Sequence, residues 1–329
     1  MKKDGKSLFD FRRWRNRDTC LAFALSGGGA RGMLQVGALR ALLEAGITPD
    51  LWVGTSAGAI NATYLSVHGF TAEGLSSLEA TWFEVAEADM LPASYLWLTM
   101  RVLLNWAGVR PHYERVRDFF VAHGVSPDLR FGDLPGPRLI LVATDLNHRR
   151  PILYGEDPDQ RVLEGLLAST AIPPWISPLQ VGDRLLIDGG ALSNLPIEPA
   201  LRCGATEIIA LNTFSPQPAE SDGSGLAPFL SKFLDSVEER QIQLEMALAE
   251  AKGVPVHHIV LQPDRPVPLW DFSQMELLRN RGYEIARREL ALWQTRRRPW
   301  YSRLASWRRR RSKETAPADL PQTEPVETP

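Results

Sequence analysis

The chain has 329 residues, 44% of them apolar and 23% charged, which excludes a wholly disordered or fibrous protein. The length allows one large domain or two small ones, with a core that needs no staples. The formal charge of −2 hides an asymmetry: residues 1–17 carry seven Lys/Arg and two Asp, residues 296–313 nine Lys/Arg and no acid, and residues 314–329 four acids, leaving residues 18–295 at net −12.

In chain order, residues 1–17 read as a basic polar arm. It has no apolar core of the kind a secretory signal needs. Thr19–Leu25 is a buried strand that runs into Ser26 and three glycines. Met33–Ala45 has helical apolar spacing and stops at Gly46. Leu51–Val53 is a second short strand, and Thr55–Val67 a second helix. This βαβα order predicts a mostly parallel sheet flanked by helices. Residues 70–130 read as mostly helical. Met90–Val109 is the longest apolar stretch, but Arg101 and Asn105 interrupt it, so it reads as a buried or interfacial helix and not a membrane span.

Further strands are expected at Leu139–Ala143, Arg150–Tyr154, Arg184–Ile187, Glu207–Leu211 and Val256–Leu261. Helices are expected at Glu164–Ser169, Phe229–Ala251 and Phe272–Trp293, and a polar loop at 217–225. The predicted organisation is therefore a basic arm (1–17), a folded body (18–295), a basic aromatic segment (296–313) and a disordered acidic, Pro-containing tail (314–329). Two cysteines, Cys20 and Cys203, allow no disulfide framework. No CxxC or Cys/His cluster suggests zinc. A reducing, cytoplasmic compartment is the simplest reading.

Three segments carry chemistry. Gly54-Thr55-Ser56-Ala57-Gly58 is a G-x-S-x-G motif between an apolar strand and a helix, the setting of a nucleophile elbow. The helix N-terminus behind Ser56 adds partial positive charge. Gly27-Gly28-Gly29-Ala30-Arg31-Gly32 has two readings. It matches the dinucleotide fingerprint G-x-G-x-x-G, for which Asp50 lies at about the right distance but on the wrong side of the second strand. It also suits an oxyanion hole, where bare backbone N–H groups point at one atom. Arg31 would then add charge or anchor the loop. Asp188-Gly189-Gly190 ends a strand and could place a carboxylate beside Ser56.

These segments resemble the patatin-like phospholipase family. Its oxyanion loop matches Gly27–Gly32 and its elbow Gly54–Gly58, with flanking Gly54 and Gly58 around Ser56. Its A-S-x-x-x-P block matches Ala168, Ser169 and Pro173, and its D-G-[GA] block Asp188, Gly189 and Gly190. Asn194 and Pro196 resemble the N-x-P that often follows. Ile176 stands where relatives often carry Phe. The resemblance covers about residues 19–291 and implies a three-layer α/β/α fold with a Ser56–Asp188 dyad acting on lipid acyl esters. It implies an oxyanion hole at Gly27–Gly29 and Ala30, an acyl-enzyme intermediate, and no metal or cofactor.

Two alternatives stand beside it: a silent scaffold on the same fold, and a Ser–Asp–His α/β-hydrolase using His257 or His258. The remaining histidines, His68, His112, His123 and His148, show no catalytic pattern. Ser169 and Thr170 read as turn-stabilising. Arg296–Arg311 interleaves Arg with Trp300, Leu304 and Trp307 on one helical face, which suggests reversible contact with anionic membrane surfaces. No nucleic-acid motif is recognisable.

Overall fold

The computed structural model describes residues 19–87, 110–173, 176–214 and 226–296. The strands are β1 (Leu21–Leu25), β2 (Leu51–Thr55), β3 (Arg138–Asp145), β4 (Arg150–Tyr154), β5 (Leu179–Val181), β6 (Arg184–Asp188), β7 (Glu207–Asn212) and β8 (Val256–Val260). The helices are α1 (Gly32–Glu44), α2 (Ala57–His68), α3 (Ala72–Glu87), α4 (Arg110–Ala122), α5 (Val162–Ser169), α6 (Ile197–Arg202), α7 (Leu226–Ala251) and α8 (Met275–Arg296). The chain divides into two compact units at Arg287, and every strand lies in the first. The expected arm at 1–17, the stretch Met90–Val109, the loop 217–225 and the segments beyond Arg296 lie outside the described residues.

One eight-stranded sheet runs in the order β5-β6-β3-β2-β1-β7-β8, with β4 also paired to β3. The central pairs β2–β3, β1–β2, β1–β7 and β7–β8 are parallel. Strands β4 and β6 run antiparallel to β3. The sheet is thus mostly parallel, with an antiparallel margin. Parallel strands need cover on both faces, and their residues here are buried almost without break. Side chains alternate between faces. Ala22, Ala24, Leu51, Val53, Ile140 and Val142 share one core with Ile197 and Ala200 of α6 and Ile242 and Ala249 of α7. The other face carries Phe23 and Trp52, whose rings meet edge-on at 5.3 Å and both pack on Phe70. Helix α2 packs along β2 there.

Sequence periodicity finds β6 but misses β5 and α6. The hairpin β5–β6 turns at Gly182 and Asp183, with Gly182 at φ +59°, a glycine-led tight turn. Its strand β5 is only three residues long, too short for alternation to register. Helix α6 has six residues and contains Pro199 in its first turn, a position that tolerates proline.

Candidate active site

Ser56 sits where β2 passes into α2, at φ 54° and ψ −120°. A left-handed φ is unfavourable for a residue with a Cβ, so the surrounding packing imposes this strain. The two flanking glycines show how. A Cβ on Gly54 would lie 2.6 Å from the carbonyl oxygen of Gly58 and 2.7 Å from Ala59 Cα. A Cβ on Gly58 would overlap the Leu25 carbonyl at the end of β1. The backbones of β1, β2 and α2 thus converge too closely for side chains. Ser169, at the end of α5, accepts a hydrogen bond from the Ser56 amide at 3.1 Å. That assigns the serine of the third sequence block a support role beneath the turn. Pro173 lies half-buried in the turn that follows.

Strand register brings Asp188 to the same level. Thr55 pairs with Val142 in β2–β3, so Ser56 comes level with Ala143. Ala143 in turn faces Asp188 across the antiparallel pair β3–β6. Two interstrand spacings, about 10 Å of backbone, separate the two residues, a gap that inward-pointing side chains can narrow. Asp188 accepts the Gly190 amide at 2.7 Å through Oδ1. Its Oδ2 is buried and has no formed hydrogen bond among the described residues. Burial pushes the carboxyl up to about 6, while the Gly190 amide and the nearby Ser56 hydroxyl hold it from rising further. A carboxyl near neutrality with an open oxygen toward serine is suited to accept a proton. Gly189 passes so close to the Val142 carbonyl that a Cβ would overlap it.

The glycine loop lies between β1 and α1. Several of its N–H groups are committed. Gly27 donates to the Asn194 backbone and side-chain oxygens, Ala30 to the Leu269 carbonyl at 2.7 Å, and Arg31 to the Gly28 carbonyl at 3.1 Å. Gly32 donates to carbonyls of the loop's own turn. Among the described residues, the amides of Gly28 and Gly29 donate to nothing. Each of these two amides is aimed by the carbonyl of its own peptide plane, which points the opposite way. The Gly27 carbonyl is held by the Thr213 hydroxyl at 2.6 Å. The Gly28 carbonyl is held by the amide and, at 3.4 Å, the Nε of Arg31. The buried Arg31 therefore anchors the loop. Burial lowers its pKa, opposed by Glu238 and Asp235 of α7.

A cleft opens beside these groups, with about 740 Å³ of space including its mouth. It is bounded by Ser56, Ala57 and Gly29 on one side, and by apolar side chains such as Ile60, Leu78, Trp82, Phe119, Phe120 and Trp270 elsewhere. Asp50, the acid a dinucleotide site would need, instead accepts the Leu21 amide at 2.8 Å, at the start of the strands and the opposite edge of the sheet.

The described histidine side chains have other partners. His68 meets the His123 carbonyl, His123 meets Glu84, His148 meets Asp145, His257 meets Glu207 and His258 meets Asn212. Among the described residues, none bonds to Ser56 or Asp188, and no group of three or more His, Cys, Asp and Glu is placed to hold a metal. No described helix is long and apolar enough to cross a membrane.

The model of the patatin-like phospholipase family matches residues 23–201, more than half of the chain. The chain belongs to that family. Its patatin-like region spans the glycine loop, the elbow and Asp188, and the loop through Asn194. Curated relatives include protein YqhO of Bacillus subtilis, 30% identical over an alignment of 190 positions that covers 52% of this chain and 64% of that protein. An NTE family protein of Mycobacterium tuberculosis is 27% identical over 301 residues, 82% of this chain and 46% of the relative. Mouse patatin-like phospholipase domain-containing protein 7 is 27% identical over 197 residues, 59% of this chain and 14% of the relative. The chain thus spans less than two thirds of the length of these relatives. Among solved structures, VipD from Legionella pneumophila is similar at 16% identity and a TM-score of 0.44, covering 83% of this chain and 67% of that one. Human GIVD cytosolic phospholipase A2, in complex with methyl gamma-linolenyl fluorophosphonate, is similar at 13% identity and a TM-score of 0.43, covering 84% and 59%.

Sequence reading passed over Glu238, Gln241 and Glu245 of α7, which fasten the segment after Asp188. Gln241 donates to the Ala191 carbonyl at 2.9 Å. Glu245 accepts from the Ser193 hydroxyl at 2.7 Å and the Glu198 amide at 2.8 Å. The only advance signal is their spacing, i, i+3 and i+7, which marks one helical face.

Proposed function

We propose that this protein is a lipid acyl hydrolase that cleaves carboxylic esters through a Ser56–Asp188 dyad. Ser56 Oγ attacks the ester carbonyl while Asp188 takes its proton. The carbonyl oxygen gains charge and receives hydrogen bonds from the Gly28 and Gly29 amides, supported by the N-terminus of α2. The ester C–O bond then breaks, and Asp188 returns the proton to the leaving alcohol. Water attacks the acyl-Ser56 ester, Asp188 accepts its proton, and the carboxylic acid leaves with Ser56 restored.

One observation carries this reading: a strained serine, level with a buried carboxyl near neutrality, opens onto an apolar cleft. The cleft suits an acyl chain, because an apolar lining favours hydrocarbon over a polar substrate. Family membership supports lipid as the substrate class. The basic flanks at 1–17 and 296–313 offset an acidic body and favour approach to an anionic membrane surface.

The test is incubation with a mixed lipid extract and mass spectrometry of the products. Wild-type protein releases free fatty acid and the matching lysolipid or alcohol, and Ser56→Ala releases neither. Equal release by both proteins contradicts the assignment.

A further inference from the structure

Helix α7 treats the glycine loop differently from the rest of its contacts. Gln241 and Glu245 bond only to the segment 191–198. Glu238, one turn before Gln241, reaches further. The Gly27 amide can only donate, so it fixes Asn194 Oδ1 toward the loop, at 3.1 Å. The other end of the Asn194 amide, Nδ2, then donates to the Glu238 carboxylate. Glu238 also opposes the charge of Arg31, the side chain that holds the Gly28 carbonyl. Two routes thus lead from one half-buried carboxylate to the glycine loop: through Asn194 to the Gly27 amide, one peptide before the Gly28 amide, and through Arg31 to the peptide that presents the Gly29 amide.

We propose that Glu238, as a carboxylate, is a positioning residue for the reaction at Ser56, holding the glycine loop through Asn194 and Arg31 so that its free amides face the developing oxyanion. The proposal rests on Ser56 being the nucleophile. Glu238 touches no substrate in this scheme. Neutralising it weakens the Asn194 bond and leaves the buried Arg31 with only the charge of Asp235 opposite it, so the loop loses its fixed aim. A misaligned donor costs rate more than binding, because the oxyanion exists only in the transition state.

The groups facing Glu238 set when it ionises. Arg31 from the loop and the Asn194 amide favour the carboxylate; Asp188 from β6, Asp235 from its own helix and burial oppose it. The balance pushes its pKa up to about 7. Asp188, at about 6, must also ionise to act as base. The two carboxyls interact, so their steps belong to the pair. Activity therefore needs two deprotonations on the acid side.

The experiment measures kcat and KM for a soluble short-chain ester across pH, together with the rate of Ser56 labelling by a fluorophosphonate. In the wild type, log kcat/KM falls with a slope approaching two below pH ~6. Glu238→Gln keeps an acceptor for Asn194 but no charge. It is expected to lower kcat by about 10²–10³-fold with KM within about threefold, and to reduce the slope to one. Glu245→Gln, equally half-buried on the same helix but with its hydrogen bonds to Ser193 and Glu198 and none to the loop, leaves the slope at two. A slope of one in the wild type overturns the proposal whether or not the variant folds. So does a folded Glu238→Gln protein with wild-type kcat and a slope of two. Labelling of Ser56 with either result overturns this proposal alone; no labelling of the wild type overturns the hydrolase reading as well.

Discussion

At Ser56 the backbone does the positioning, whereas the segment that follows Asp188 is fastened by side chains from a distant helix. The elbow is held by close approach of β1, β2 and α2 at Gly54 and Gly58. Nothing in that arrangement titrates. The loop after Asp188 is fastened by α7, across 50 residues of sequence at Gln241 and Ala191. Three carboxyls there are pushed up, the buried Asp188 to about 6 and the half-buried Glu238 and Glu245 to about 7. Ser56 is therefore placed by sterics that pH does not alter, and the segment beside Asp188 by an electrostatic arrangement that pH does. The comparison predicts that steric and electrostatic lesions will differ in their pH dependence.

The largest effect is expected at the two ends of the dyad. Ser56→Ala and Asp188→Asn should each lower kcat/KM by about 10³-fold or more at every pH, as for other residues that act as a unit. His257→Gln and His258→Gln should stay within a few-fold. Loss of turnover in a folded histidine variant would replace the dyad with a triad.

The glycine loop comes next. Gly28→Ala or Gly29→Ala should lower kcat by about 10²–10³, the loss typical of one oxyanion donor. At Gly29 the φ of +55° and the nearby Leu269 carbonyl both resist a Cβ. Unaltered kcat in either folded variant would move the oxyanion hole elsewhere.

The electrostatic side can be sharpened by a stability measurement. A carboxyl whose folded pKa lies above its unfolded value binds protons more tightly when folded. Its favourable contribution is complete below the unfolded pKa of about 4 and is lost as pH rises through the folded value, about 6 for Asp188. At about pH 8 the ionised Asp188 therefore costs on the order of 3 kcal/mol. Asp188→Asn should raise the melting temperature at about pH 8 and lose most of that gain near pH 4. A gain of equal size at both values would assign the effect to packing.

The geometry around Ser56 was legible in the sequence for the same reason that it is insensitive to pH. Backbone convergence demands glycine, and glycine at fixed spacing is visible in a single sequence. That made Gly54–Gly58, Gly27–Gly29 and Gly189 readable before any coordinates, and the βα pattern around them predicted the parallel centre of the sheet. Within the loop, free amides and committed ones look alike in the sequence. That distinction depends on Asn194, Thr213 and Leu269, brought in from 167 residues away or more in the first two cases. Glu238 and Glu245 looked like the polar face of an amphipathic helix. Their partial burial follows from tertiary packing, which charge spacing on one helix does not reveal. The direction of β6 was hidden too, because the hairpin that reverses it is built on a three-residue strand.

The smallest effect concerns the basic C-terminal segment. Removing residues 296–329 should leave turnover of a soluble short-chain ester unchanged, since all the site residues named above precede that segment. It should weaken binding to anionic vesicles more than to neutral ones, because the body at 18–295 carries net −12. Added salt should mimic the deletion, as the Debye length falls from about 10 Å at 0.1 M to about 3 Å at 1 M. Equal sedimentation of full-length and truncated protein with anionic vesicles would leave that segment without a membrane role.

The most direct test of the central claim is covalent labelling with a fluorophosphonate, read by mass spectrometry of the digested protein. The account predicts a single adduct on Ser56. It also predicts that labelling slows strongly in Asp188→Asn and is preserved in His257→Gln and His258→Gln. An unlabelled wild-type protein, or an adduct on any residue other than Ser56, would contradict it.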